Sequence, residues 1–104
     1  MVKAKVESER LSGRIEYKII FELEDGNTRQ TYIQNFLNRP GTFIYAHPGS
    51  CFCDLCKAAA KCGFVPVTGD KVQAVPNAEN RAYLPKYLED ELIALMVADA
   101  LTGT

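Results

Sequence analysis

Four cysteines fall within one short stretch, Cys51-Phe52-Cys53-Asp54-Leu55-Cys56 and then Cys62, and the only histidine, His47, lies four residues ahead of the first. The pattern H-x3-C-x-C-x2-C-x5-C concentrates five soft or borderline donors in a single segment. Thiolate sulfur and imidazole nitrogen are the ligands of structural zinc, which takes four of them in a tetrahedron at roughly 2.0–2.3 Å. The same thiols could instead exchange with disulfides, or hold iron.

The spacing selects among the donors. A helix is expected from about Cys53 to Lys61, because Ala58, Ala59 and Ala60 are strong helix formers and Gly63 suits the position just past its end. Cys53 and Cys56 then share one side of its first turn. The unpaired amides and the dipole at that end favour thiolate. Cys51 in the preceding loop and His47 at the end of the preceding strand can fold over the same point. The expected metal ligands are therefore His47, Cys51, Cys53 and Cys56, with zinc as the ion. Cys62, six residues beyond Cys56, is displaced by about 9 Å along a continuous helix and turned to another side. It is expected to be a buried, apolar-like residue. A set in which Cys62 replaces His47 requires the helix to break early, which three consecutive alanines do not encourage.

Other chemistries compete for the same residues. Cys53-Asp54-Leu55-Cys56 at a helix start resembles the C-x-x-C position of thioredoxin-like proteins, over those four residues. The resemblance implies thiol–disulfide exchange or metal handling through Cys53 and Cys56. The tryptophan and the internal Gly-Pro usual in that family are absent, Asp54 opposes thiolate formation, and Cys51 adds a third thiol. The spacing matches neither the bacterial nor the plant-type ferredoxin run, which ranks an iron–sulfur cluster below zinc. A Cys–His nucleophilic pair lacks an orienting residue in the sequence. Cysteine is also among the most buried residue types, so an adaptor or accessory protein with chemically idle thiols is the blandest alternative. His47, beside Pro48, could equally be a turn or core histidine.

Composition narrows the partners. Twelve Lys and Arg against thirteen Asp and Glu give a net charge of −1. Nucleic acid is not favoured by that balance, since phosphate binding draws on an excess of scattered or clustered cations. The ten aromatics lie mostly in strand-like segments, where core packing is expected rather than base stacking. A protein partner of unknown identity is expected instead. No Gly-rich phosphate loop is present. MVKAKVESER has no apolar export core and no stretch is long enough for a membrane helix, so the expected location is the cytoplasm, where thiols stay reduced.

The elements that must position the cysteines can be read from periodicity. Val2, Ala4 and Val6 alternate with charged residues, and Ile15, Tyr17, Ile19, Phe21 and Leu23 do so more strongly; both segments are expected strands. They flank a turn at Ser12-Gly13, and Asp25-Gly26-Asn27 supplies the next. Residues 28–38 fit either a returning strand or a helix, with the Tyr32/Phe36 and Ile33/Leu37 pairs tilting the reading toward helix. TFIYA, residues 42–46, is a short strand. Phe64 to Val67 and Lys71 to Val75 suggest a hairpin about Thr68-Gly69-Asp70, and Pro76 to Tyr83 a loop. A final helix from about Pro85 to Leu101 carries the stripe Leu88, Leu92, Leu95 and Met96, with Ile93 beside it. The expected fold is a single α+β domain over residues 1–104. It is a small, mainly antiparallel sheet packed by a long C-terminal helix and a short Cys-bearing helix. The expected function is that of a metal-binding interaction or regulatory module without catalysis.

Overall fold

A computed structural model describes residues 1–46 and 53–102. Six antiparallel strands, β1 (Lys3–Leu11), β2 (Arg14–Glu22), β3 (Thr28–Gln34), β4 (Phe43–Tyr45), β5 (Val65–Pro66) and β6 (Arg81–Tyr83), form one sheet in the order β1-β2-β3-β4-β6-β5. Two helices, α1 (Asp54–Lys61) and α2 (Lys86–Thr102), pack on it. The architecture is the expected α+β one. Among the described residues no helix is long and apolar enough to cross a membrane.

The alternation that marks β1 and β2 sets the sheet's two faces. Val6 stands opposite Ile19 and Ala4 opposite Phe21. Because side chains of directly paired residues share a face, this places Ala4, Val6, Ile19 and Phe21 together on one side, while Ile20, opposite Lys5, lies on the other. Gly13 takes the left-handed conformation (φ 78°) that the tight β1–β2 turn demands. At the next turn the Asp25 carboxylate accepts from the Asn27 amide at 3.0 Å, and the Leu23 amide donates to the Asn27 carbonyl at 2.8 Å.

The segment 28–38 is not a helix. Thr28–Gln34 pairs with β2, Lys18 opposite Tyr32, and then with β4, Ile33 opposite Ile44. Of the four apolar residues whose spacing suggested a helical face, only Ile33 is buried, while Tyr32 and Leu37 are exposed. The strand ends where Asn35 and Leu37 enter the left-handed region, at φ 60° and 56°. The Asn35 side-chain amide then donates to the carbonyls of Arg39 and Gly41, at 3.1 and 2.8 Å, and so ties off the loop into β4.

The expected hairpin at 68–70 is also absent. Val65–Pro66 pairs with β6 rather than with residues 71–75, and Gly69–Ala74 forms a 3-10 turn. That turn and a second one at Ala78–Asn80 lie under β4 and β6, where Val67, Val75 and Ala78 bury against Phe43, with Tyr83 beside them. The main core fills the opposite face. Ile19, Phe21 and Ile44 from the sheet meet Ala58 and Ala59 of α1 and Leu88 and Leu92 of α2. Leu95 and Met96 pack partly against this core, whereas Ile93, Val97 and Leu101 face solvent. The long helix starts at Lys86, one residue after Pro85, whose carbonyl accepts from the amides of Leu88 and Glu89 at 3.1 Å.

Candidate metal centre at the start of α1

The short helix is held by its alanines. Ala58 and Ala59 present a flat apolar strip to the sheet, small enough to bring the helix backbone close to β2 and β3. Its first turn thereby sits over the end of the sheet where β2 turns into β3. Cys53 is the N-cap, in extended conformation (φ −67°, ψ 164°), and its carbonyl accepts the first helical bond from the Lys57 amide at 2.9 Å. Counting on from Asp54, Cys56 is the third helical residue. Both cysteines therefore belong to the turn whose amides a helix start leaves without internal partners, although the Cys53 side chain makes no capping hydrogen bond to them. Both cysteines are half-buried.

Asp54 lies between them in sequence, and its carboxylate is taken up by Arg29 of β3, with Nη2 3.0 Å from Oδ2. Arg29 stands opposite Phe21 on the core-facing side of the sheet, which aims it at α1. This pairing was missed by the sequence reading. Its signal was there in principle, because Arg29 shares period-two phase with Ile33 once residues 28–34 are taken as a strand. Arg29 and Asp54 thus form an exposed tether between the strand and the cysteine-bearing turn, and offset a charge that would otherwise work against thiolate at Cys53 and Cys56.

Cys62 is placed elsewhere. It caps the C-terminal end of α1, its amide donating to Ala58 and Ala59 carbonyls at 3.0 and 3.2 Å. Its side chain is buried in the main core with the sulfur 4.0 Å from the Val2 carbonyl oxygen. Burial pushes this thiol's pKa up, which keeps it protonated, with the Tyr87 hydroxyl acting weakly in the opposite sense. The Tyr87 hydroxyl donates to the Cys62 carbonyl at 2.7 Å, fixing the end of α1 to the start of α2.

Of the expected ligands, His47 and Cys51 lie outside the described residues. Among the described residues, no three His, Cys, Asp or Glu side chains gather as a metal site. On the same side as α1, a groove of about 260 Å³ opens between the start of β1, the β2–β3 turn and the helix. Glu24, Asp25, Asp54, Lys57 and Lys61 line it, with Val2, Leu23 and Ala58 as its apolar part.

No known protein family, curated protein or solved structure matches this chain.

Proposed function

We propose that this chain is a small non-catalytic interaction module in which a zinc ion ties His47 and Cys51 to Cys53 and Cys56 and so fixes the surface around the start of α1. The observation that carries the reading is the position of Cys53 and Cys56 as N-cap and third residue of one helix. Both thiols there sit at its positive end, where thiolate is favoured. Four protein donors would fill the ion's coordination, which is the arrangement of a structural rather than a catalytic zinc. The Arg29–Asp54 pair supports it by partly offsetting an opposing charge next to the thiols.

The test is metal content. Protein purified without chelator and kept reduced is expected to carry close to one zinc per chain. Chelation is expected to lower its melting temperature, since binding energy of a structural zinc is folding energy. Cys53→Ser and Cys56→Ser are expected to lose the ion, and Cys62→Ala to keep it. Reduced protein with no bound metal defeats the proposal.

The same helix-start geometry supports a second reading, thiol–disulfide exchange between Cys53 and Cys56. It predicts that one of the two alkylates rapidly below pH 7 in metal-free protein. Uniformly slow labelling removes it.

A further inference from the structure

The sheet has two edges of unequal length. At one end β5 contributes only Val65–Pro66, a short strand that carries a proline. Both features discourage further pairing. At the other end β1 runs for nine residues without proline or glycine and, among the described residues, has no strand on its outer side. The Val6 amide points outward, because it donates to Glu91 rather than to β2. The Val2 carbonyl does the same, with Cys62 Sγ 4.0 Å from its oxygen. Backbone groups of a strand alternate between its two sides, so Ala4, Val6, Ser8 and Arg10 direct their amides and carbonyls to the open edge.

The side chains of this edge are sorted by sign. On the face away from the helices Lys3 and Lys5 come first, and Glu7 and Glu9 follow. Such a run is complementary to its own reverse. With β1 laid antiparallel beside a second β1, Val6 against Val6, Lys5 falls opposite Glu7 and Lys3 opposite Glu9, and symmetry repeats both pairs. The open-edge backbone requires even-numbered residues to meet even-numbered ones. The nearest other registers therefore centre on Lys5 or on Glu7, and each replaces two of the four attractive pairs with a like-charged pair on the axis. Parallel in-register pairing sets like against like throughout. Opposite charges directly across a strand pair stabilise it and like charges destabilise it.

The surrounding charges fit the same arrangement. On β2, Lys18 stands opposite Glu7, Glu22 opposite Lys3 and Glu16 opposite Glu9, so a second copy's Lys3 would come beside Glu9 where β2 offers another carboxylate. Lys5 and Glu7 meet along the strand at 2.9 Å but stay 60% and 42% exposed, a pairing weak enough to be shared across the joint. On the helix side Arg10 and Glu91 are of opposite sign, and Asp99 is bonded to Tyr17. Cys62 covers the Val2 carbonyl, which confines the joint to residues 4–8. Ala4 then meets Ser8, Val6 meets Val6 and Ser8 meets Ala4, three pairs that exchange two main-chain bonds each. Against these, each copy gives up the one bond from its Val6 amide to Glu91, whose exposed carboxylate passes to water. A sheet continued edge to edge keeps both sets of helices on one face. The flank of α2 from which Glu91 reaches the edge continues through the exposed Ala94 and Ala98, so small side chains follow it toward the second copy's helix.

We propose that β1 pairs antiparallel with β1 of a second copy of this chain, about a two-fold axis at Val6, so that the two sheets become one. Glu91 is the competing occupant of the edge and sets how weak the association is. The inference goes beyond the module proposed above, since it assigns a partner to a surface other than the cysteine-bearing turn and does not depend on the metal.

The experiment is sedimentation velocity of the full chain from micromolar to about millimolar concentration, at low salt and with reductant. It is run on zinc-loaded and chelated protein so that failure of metal binding is seen separately. The joint is far smaller than a standard interface, so a reversible dimer with a Kd of about 10–100 μM is expected. Lys5→Glu and Glu7→Lys are each expected to weaken it roughly tenfold, because each sets two like-charged pairs across the joint. An equimolar mixture of the two variants is expected to recover a dimer close to the parent, since position 5 of one then faces position 7 of the other with opposite sign at both places. Glu91→Ala is expected to tighten the dimer roughly tenfold by freeing the Val6 amide in both copies. Lys61→Ala, on α1, is expected to change nothing, and circular dichroism checks that each variant is folded. A chain that stays monomeric throughout overturns the proposal. So does a dimer indifferent to both charge variants or not recovered on mixing them, which places the contact elsewhere, such as the exposed Ile93 and Val97 of α2. A dimer that needs zinc, or that reductant abolishes, is a contact through the cysteines and overturns it as well.

Discussion

The main-chain amide of Val6 donates to a carboxylate oxygen of Glu91 at 3.0 Å, a bond between the edge strand β1 and the middle of the long helix α2. An edge strand of nine residues presents a row of unpaired amides and is the natural place for chains to add to one another. Here a helix side chain occupies one of them.

Glu91→Ala is therefore expected to cost about 1 kcal/mol, a modest value for a charge-assisted bond to an exposed carboxylate. In a domain of this size that is a fall of about 4–8 °C in melting temperature. Glu91→Gln, which keeps an acceptor oxygen, is expected to recover most of it. A thermal melt unchanged by the alanine variant would show that the edge amide is equally well served by water.

A second tie runs from the sheet to the far end of the same helix. The Tyr17 hydroxyl donates to Asp99 at 3.0 Å, while its ring meets Phe36 edge-on at 5.6 Å. Burial raises the Tyr17 pKa, and the bond and the negative charge of Asp99 raise it further. A folded pKa above the unfolded value of about 10 means that the neutral phenol is favoured in the fold. The associated stability is full below that value and is lost as pH rises through the folded pKa. Tyr17→Phe is expected to cost about 1 kcal/mol near neutrality, and its deficit relative to the parent is expected to close in alkaline solution. Denaturant midpoints for both proteins between pH 7 and 11 measure this, and a deficit constant with pH contradicts it.

The reactivity of the thiols follows from their placement. Cys62 is buried in the core with its pKa raised, so in native protein it is expected to be the last cysteine to react with a disulfide reagent, at the rate of unfolding. Cys62→Ala is expected to delete that slow phase and leave the faster ones. Cys62→Ser, which puts a hydroxyl among Ala58, Ala59 and Leu88, is expected to destabilise by about 1–2 kcal/mol. Rapid labelling of position 62 in folded protein would contradict the packing of this helix end.

How far the sequence revealed this depends on the range of the forces involved. Strands β1 and β2 and helix α2 were legible because their apolar residues repeat at the period of the element itself. The start of α1 was legible for a similar reason, since alanines and a following glycine act locally. Strand β3 was not, because Tyr32 and Leu37 are apolar residues on solvent-facing positions, and their coincidence at helical spacing imitated an amphipathic face. The segment after Phe64 failed for another reason. Its two-residue strand pairs with β6, and Val75 buries against Phe43, both contacts set by tertiary assembly. At the cysteines, the sequence located Cys53 and Cys56 on one turn, but the Arg29–Asp54 tether required knowing that residue 29 lies on a strand. That Tyr32 and Tyr45 share one face is likewise a consequence of sheet order, since only the adjacency of β3 and β4 brings the two positions onto neighbouring strands.

Tyr83 offers a test of the opposite sign. Its hydroxyl is buried and has no hydrogen-bond partner among the described residues. The ring is fixed, packed edge-on against Phe43 at 6.3 Å and closed over by Gly41, where an added Cβ would come within 3.0 Å of Cε1. A buried hydroxyl that loses water without gaining a partner is a net cost, so Tyr83→Phe is expected to be neutral or stabilising by up to about 1 kcal/mol. The packing that holds the ring makes the complementary prediction. Gly41 sits at φ 151°, a conformation that side-chain-bearing residues rarely adopt, and Gly41→Ala adds a clash to that strain. It is expected to cost about 2 kcal/mol. Thermal melts of the two variants should thus move in opposite directions from the parent. If Tyr83→Phe instead falls as far as Tyr17→Phe, the hydroxyl has a partner, and the pocket between β6 and the 35–41 loop is packed differently.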